Sequence, residues 1–203
     1  MTRIAIIHYS ATGNVFLLAQ ALADGARDAG ADVRLRRVPE LAPDEAIAQN
    51  PRWSAHLQRM ETAEPVQVAT IADLEWADGI ALGSPTRFGG PAAQLKLFLD
   101  QAGALWSKGV LAKKVVTAFT ASSTSHGGLE STILATLNLA YHWGALIMPL
   151  GYGDPVVAKV TGNPYGASWV SRKGSVPDDD AISAGRAQGL RLAKIASAIA
   201  SVQ

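Results

Sequence analysis

Short apolar runs, spaced by helical stretches that stop at glycine, restrict the folding of this chain more than any other feature. The runs are Ile4 to Tyr9, Val33 to Leu35, Gly79 to Leu82, Lys114 to Phe119 and Ala145 to Met148. Helical patterns occupy Asn14 to Ala29, Pro91 to Gln101, Gly128 to Trp143 and Asp178 to Val202. Gly30, Gly103 and Gly144 follow the first three, as helix C-terminal stops do, and Asp178-Asp179-Asp180 places acids where the last helix dipole favours them. Apolar strands alternating with helices predict an α/β fold, a doubly wound five-stranded parallel sheet with helices on both faces. The 203 residues suit one domain, 1–203, with a sizeable core.

Two segments depart from the alternation. Residues 41–70 carry Pro43, Pro51 and Pro65 around a helical stretch, Glu45 to Met60, longer than a bare crossover requires. The excess predicts a cover over a site or a partner. Residues 153–177, including Gly162-Asn163-Pro164-Tyr165-Gly166, predict an ordered loop rather than a regular element.

Composition removes several classes of function. Lys and Arg number 18 against 17 Asp and Glu, so no net field recruits nucleic acid or an acidic membrane, and a small-molecule ligand is expected. The absence of cysteine rules out disulfides, thiolate nucleophiles and thiolate metal sites, and leaves any redox chemistry to a cofactor. The first strand begins almost at residue 1 and no apolar run reaches membrane-spanning length, which predicts a cytoplasmic protein. His8, His56, His126 and His142 lack metal-ligand spacing, and no Gly-x-Ser-x-Gly elbow is present. No metal and no catalytic protein side chain are expected.

Ligands of open parallel sheets sit beyond the C-terminal strand ends, so three loops carry the chemistry. Ser10-Ala11-Thr12-Gly13-Asn14-Val15 joins the first strand to the first helix. It lacks the Lys of a nucleoside-triphosphate loop and the GxGxxG of a dinucleotide fold, and its hydroxyls, amide and helix-start N–H groups suit one monophosphate. The plainer alternative is a helix cap alone. Pro85-Thr86-Arg87-Phe88-Gly89 offers an aromatic wall, a cation and close backbone approach to a flat ligand; the alternative is a connector with an incidental aromatic. Ser122-Ser123-Thr124-Ser125-His126-Gly127 offers donors to a polar heterocycle edge, or equally a solvated link. Trp106 suits a pocket wall about as well as a core position, and His142 suits the negative end of a helix dipole. His56 lies in a polar stretch and is expected to be solvated.

Taken in order, these segments resemble the flavodoxin-like superfamily, and within it the WrbA-type FMN-dependent NAD(P)H:quinone oxidoreductases. The Ser10–Val15 loop, Arg36-Arg37-Val38-Pro39-Glu40, Pro65-Val66 to Leu74, Gly83 to Gly89, Phe98-Leu99-Asp100-Gln101 with Leu105-Trp106, His126-Gly127-Gly128 and Pro164-Tyr165-Gly166-Ala167 carry the likeness over nearly the whole chain. The resemblance implies that Ser10 to Val15 hold the FMN phosphate. It implies that Pro85 to Gly89 frame the isoalloxazine ring and that Ser122 to Gly127 line its pyrimidine edge. By the same likeness His142 is the helix-end histidine near the flavin and Trp106 the substrate-side tryptophan where quinone binds. Thr12 stands where the family often has an aromatic.

The likeness further implies two-electron quinone reduction by a ping-pong route through FMN, with NADH or NADPH as donor. It also implies a homotetramer, a dimer being the smaller alternative, whose sites draw on neighbouring subunits. A one-electron flavodoxin-type carrier and a flavin-binding regulatory module are the rival readings. Balanced charge and the long extra segments weigh against the carrier, and steady turnover would separate an enzyme from the module.

Overall fold

The computed structural model of the protein describes residues 1–160 and 162–202. Its strands are β1 (Arg3–His8), β2 (Asp32–Arg37), β3 (Gly79–Arg87), β4 (Gly90–Pro91), β5 (Val115–Ser122), β6 (Leu146–Ile147) and β7 (Ser168–Val170). The α-helices are α1 (Asn14–Asp28), α2 (Asp44–Ala48), α3 (Pro51–Gln58), α4 (Ile71–Trp76), α5 (Ala93–Asp100), α6 (Gly103–Ser107), α7 (Leu129–Trp143), α8 (Val156–Lys159) and α9 (Asp179–Ala200). The order across the sheet is β2-β1-β3-β5-β6, with every neighbouring pair on this path parallel.

Alternation along β1 divides the core in two. Ile4 and Ile6 face α1 and α9, packing with Leu18, Leu22, Leu192 and Ala196, whereas Ala5 and Ile7 pack with Leu95, Leu99, Ile133 and Leu137 of α5 and α7. Both faces are covered, the condition that makes parallel strands apolar throughout. Among the described residues no helix is long and apolar enough to cross a membrane.

The sheet has seven strands rather than the five expected. β6 is only two residues long and pairs with Val115 and Val116, so the rest of that edge of β5 is open; β7 pairs there with Thr120 to Ser122. β7, α8 and a 3₁₀ turn at Arg172–Gly174 therefore replace the expected loop over 153–177. β4 folds back antiparallel on Thr86 and Arg87, which delays the expected Pro91 helix to Ala93. Gly103 closes no helix but opens α6, which carries Trp106.

The stretch 45–60 also divides. Asn50 caps α3 by accepting from Arg52 and Trp53 N–H, with Pro51 at the first helical position, where its missing donor costs nothing. α3 continues into a π-helical turn, Arg59–Ala63. α4, absent from the sequence expectation, is started by a reciprocal cap between Thr70 and Asp73. Asp73 also takes Arg34 at 3.1 Å and Arg36 at 3.2 Å, fastening this segment to the edge strand β2.

Candidate cofactor site at the switch point

From β1 the chain passes to β2 on one side, and from β3 onward it builds the other side of the sheet, so the C-terminal ends of β1 and β3 border a crevice. A cleft of about 170 Å³ opens there, lined by Ser10 to Thr12, Asn14, Val15, Pro85 to Arg87, Ala121 to Ser123, and Ser171. Loops from β1, β3, β5 and β7 thus meet in one place.

The first loop is shaped from within. Ser10 Oγ accepts from Gly13 N–H at 3.1 Å and Phe16 N–H at 3.3 Å, which is the capping role, and its own proton stays free to donate. Gly13 has φ +99, a left-handed conformation that turns the chain into α1. The N–H groups of Thr12, Asn14 and Val15 find no acceptor among the described residues. Three such donors at a helix start favour an anion, and no fixed cation lies within this loop. Asn14 is 6% exposed and its Oδ1 has no hydrogen-bond partner among the described residues, a buried acceptor that a ligand hydroxyl would satisfy. The donor set and this acceptor together fit a phosphorylated, hydroxyl-bearing chain such as ribityl phosphate.

The second and third loops are tied to each other. Thr86 Oγ1 donates to the Gly127 carbonyl at 2.9 Å and accepts from Gly89 N–H at 3.3 Å and from the Thr132 hydroxyl at 2.9 Å. A Cβ on Gly128 would come within 2.8 Å of Gly89 Cα, so this close approach of the two loops needs glycine at 128. Ser122 Oγ donates to the Thr124 carbonyl at 2.6 Å, and Ser171 N–H donates to the Ser122 carbonyl at 2.7 Å. Arg172 Nη2 donates to Ser125 Oγ at 3.1 Å. Beyond the cleft the same loops present Phe88, Thr124, Ser125 and His126 to solvent. Phe88 is fully exposed and holds φ +51, an unusual conformation for an aromatic residue, of the kind that concentrates at binding sites.

The structure brings together ten of the expected residues around the cleft: Ser10, Ala11, Thr12, Asn14, Val15, Pro85, Thr86, Arg87, Ser122 and Ser123. Gly13 shapes the first loop, and Phe88, Gly89 and Thr124 to Gly127 continue the other two. Trp106 and His142 are brought together elsewhere, the indole Nε1 donating to the His142 carbonyl at 2.9 Å. His142 lies in the last turn of α7, whose chain continues to Leu146 beside Val115 at the opposite end of β5. The 15 residues of α7 make this about 22 Å of helix away from the third loop.

His56 is buried rather than solvated. α3 lays it against the back of the first loop, where a Cβ on Gly13 would stand 3.4 Å from its Nδ1, and its ring lies 5.6 Å from that of Phe16. Burial, with the nearby charges of Arg59 and Arg37, pushes its pKa down to about 4. Within residues 41–70, α3 is thus a cover on the back of the first loop. The sequence reading also missed Ser171, which only the β7 pairing delivers to the cleft.

A doubly wound sheet with a donor-rich cleft at its switch point, flanked by paired loops, defines a flavodoxin-like cofactor-binding protein. The chain belongs to the NADPH-dependent FMN reductase family, whose model matches residues 2–153. A Deinococcus radiodurans protein named NAD(P)H dehydrogenase (quinone) is 46% identical over 166 residues, 82% of each chain. A Methylocella silvestris protein of the same name is 41% identical over 202 residues, covering 97% of this chain and 98% of its own. A crystal structure described as the flavodoxin, WrbA-like protein from Agrobacterium tumefaciens shares the fold, with TM-score 0.67 and 24% identity over 98% of this chain and 99% of that one.

Proposed function

We propose that this chain is an FMN-dependent NAD(P)H:quinone oxidoreductase, with residues 1–203 acting as one FMN-binding domain. The observation that carries the reading is the cleft itself. Three open N–H groups and an unsatisfied buried amide oxygen meet at the switch point, in a chain matching quinone dehydrogenases over nearly its full length. Bound FMN supplies the chemistry, passing two electrons from NAD(P)H plus a proton to a quinone and so yielding NAD(P)⁺ and hydroquinone.

The protein's part is binding and orientation. Thr12, Asn14 and Val15 N–H with the Ser10 hydroxyl hold the phosphate, and Asn14 Oδ1 takes a ribityl hydroxyl. Pro85 to Gly89 and Ser122 to Gly127 flank the ring, and the Thr86 bond to Gly127 keeps their spacing fixed. Arg87 and the loop N–H groups supply positive potential to the polar edge of the ring. No protein side chain need be a nucleophile or acid.

Trp106 and His142 are too far from the cleft of their own chain to serve it, so in this reading they complete the site of a neighbouring subunit in a homotetramer. The exposed apolar side chains of Leu97, Trp106, Leu134, Tyr141 and Leu146 favour such an assembly. We place the protein in the cytoplasm, consistent with its lack of cysteine. The one-electron carrier is disfavoured by the near balance of charge and by the quinone dehydrogenase relatives.

Anaerobic mixing of the FMN-loaded protein with NADH or NADPH, then with benzoquinone, tests the assignment. Bleaching of the visible flavin band followed by its return on adding quinone is expected. No bleaching by either nicotinamide, with FMN bound, would leave the one-electron carrier or the binding-module reading in its place.

A further inference from the structure

Glu40, just beyond β2, gathers five donors on one carboxylate. Its Oε1 accepts from Leu41 N–H at 2.8 Å, Ala42 N–H at 3.0 Å and Gln94 Nε2 at 2.7 Å. Its Oε2 accepts from the Tyr9 hydroxyl at 2.8 Å and Trp53 Nε1 at 2.9 Å. Tyr9 is the residue before the phosphate loop, Trp53 belongs to the covering helix α3, and Gln94 stands in the first turn of α5, soon after the Pro85–Gly89 loop in the chain.

We propose, resting on the FMN reading above, that Glu40 is a positioning residue for the cofactor. Its carboxylate seats residues 44–63 on the back of the phosphate loop and fixes that loop's spacing from the ring loop. Trp53 and His56 lie three residues apart on one side of α3, so anchoring the indole on Glu40 presses the imidazole against Gly13. Tyr9, which donates to Glu40, also lies near enough to the Arg87 guanidinium of the ring loop to feel its charge.

An acceptor with no proton of its own is needed for five donors, and a neutral amide in its place would oppose at least one of them with an N–H₂ group. Burial opposes the charge of Glu40, but bonds from Ala42 N–H, Tyr9, Gln94 and Leu41 N–H outweigh it and keep its pKa below the usual carboxylate value.

The test uses the full chain stripped of cofactor. FMN and riboflavin, which lacks the phosphate, are titrated separately into wild type and Glu40→Gln, and amide exchange is followed over residues 44–63. Exchange there is expected to quicken about tenfold or more, and FMN affinity to fall about tenfold or more, from the loss of charge-assisted bonds. Riboflavin affinity is expected to fall less, so that the preference for FMN narrows. Trp53→Phe leaves the carboxylate in place and is expected to narrow the preference in the same direction, which keeps the proposal testable if Glu40→Gln does not fold.

Equal weakening of FMN and riboflavin would mark Glu40 as a general stabiliser and overturn the proposal. FMN affinity and exchange both within about twofold of wild type would overturn it as well. A wild type with no preference for FMN over riboflavin would instead overturn the phosphate reading, and the cofactor role of Glu40 with it, leaving the exchange data to report seating of the cover alone.

Discussion

Phe88 combines a left-handed backbone with a fully exposed ring, so it contributes strain to the fold and buries nothing in return. Phe88→Gly is expected to raise the stability of the cofactor-free protein by about 0.5–1 kcal/mol in urea titrations. It should also weaken FMN binding by about fivefold through the lost ring wall. The histidines give a second expectation. Burial pushes His8 down to about 3 and His56 down to about 4, whereas an unfolded imidazole titrates near about 6.5. Between these limits the unfolded chain binds more protons than the folded one. The stability held by the neutral rings is therefore complete above about pH 6.5, begins to fall below it, and is lost once pH has passed about 4 for His56 and about 3 for His8. Denaturation midpoints should drop on acidification from pH 7 to 5, and His56→Gln should flatten that slope by up to about 1.4 kcal/mol per pH unit. The burial of His56 was not legible in its polar sequence neighbourhood, because the partners that cover it, Gly13 and Phe16, lie some forty residues away on another element.

At the scale of elements, α1 and α9 pack through glycines. A Cβ on Gly189 would stand 2.0 Å from the Leu22 carbonyl oxygen and one on Gly25 1.9 Å from that of Arg186, so the two backbones touch. Gly189→Ala is expected to cost about 1–3 kcal/mol by overpacking. Gly103→Ala, where an added Cβ meets nothing within 4 Å, should be near neutral in the same denaturation series. Apolar periodicity made the central strands and the long helices α1, α7 and α9 readable, since each buries a continuous face. The short elements were not readable in this way. β7 exists because β6 leaves the edge of β5 open, β4 because Gly90-Pro91 folds back on Thr86 and Arg87, and α4 because Thr70 and Asp73 cap each other. Only that last signal, a Thr-x-x-Asp spacing, was there to be found in the sequence.

At the scale of the molecule, the exposed apolar side chains on α5, α6, α7 and β6 lead, under the homotetramer proposed above, to the expectation that Leu134→Glu gives smaller species than wild type in sedimentation velocity. If Trp106 completes a neighbouring site as proposed, flavin binding should survive in that variant, since each cleft keeps its own loops, while most quinone turnover should be lost. Unchanged turnover in a dissociated variant would return Trp106 to a structural role. The sequence by itself determined the α/β architecture and the three loops that line the cleft. These depend on local periodicity and on loops that follow strand ends, both properties of neighbours in the chain. Tertiary structure alone decided that α3 covers the back of the first loop, that Ser171 reaches the cleft, that Glu40 accepts from both Tyr9 and Gln94, and that Trp106 and His142 stand together far from the cleft. Each of these rests on contacts between residues distant in sequence, which the packing of helices and strand edges creates and no local pattern encodes.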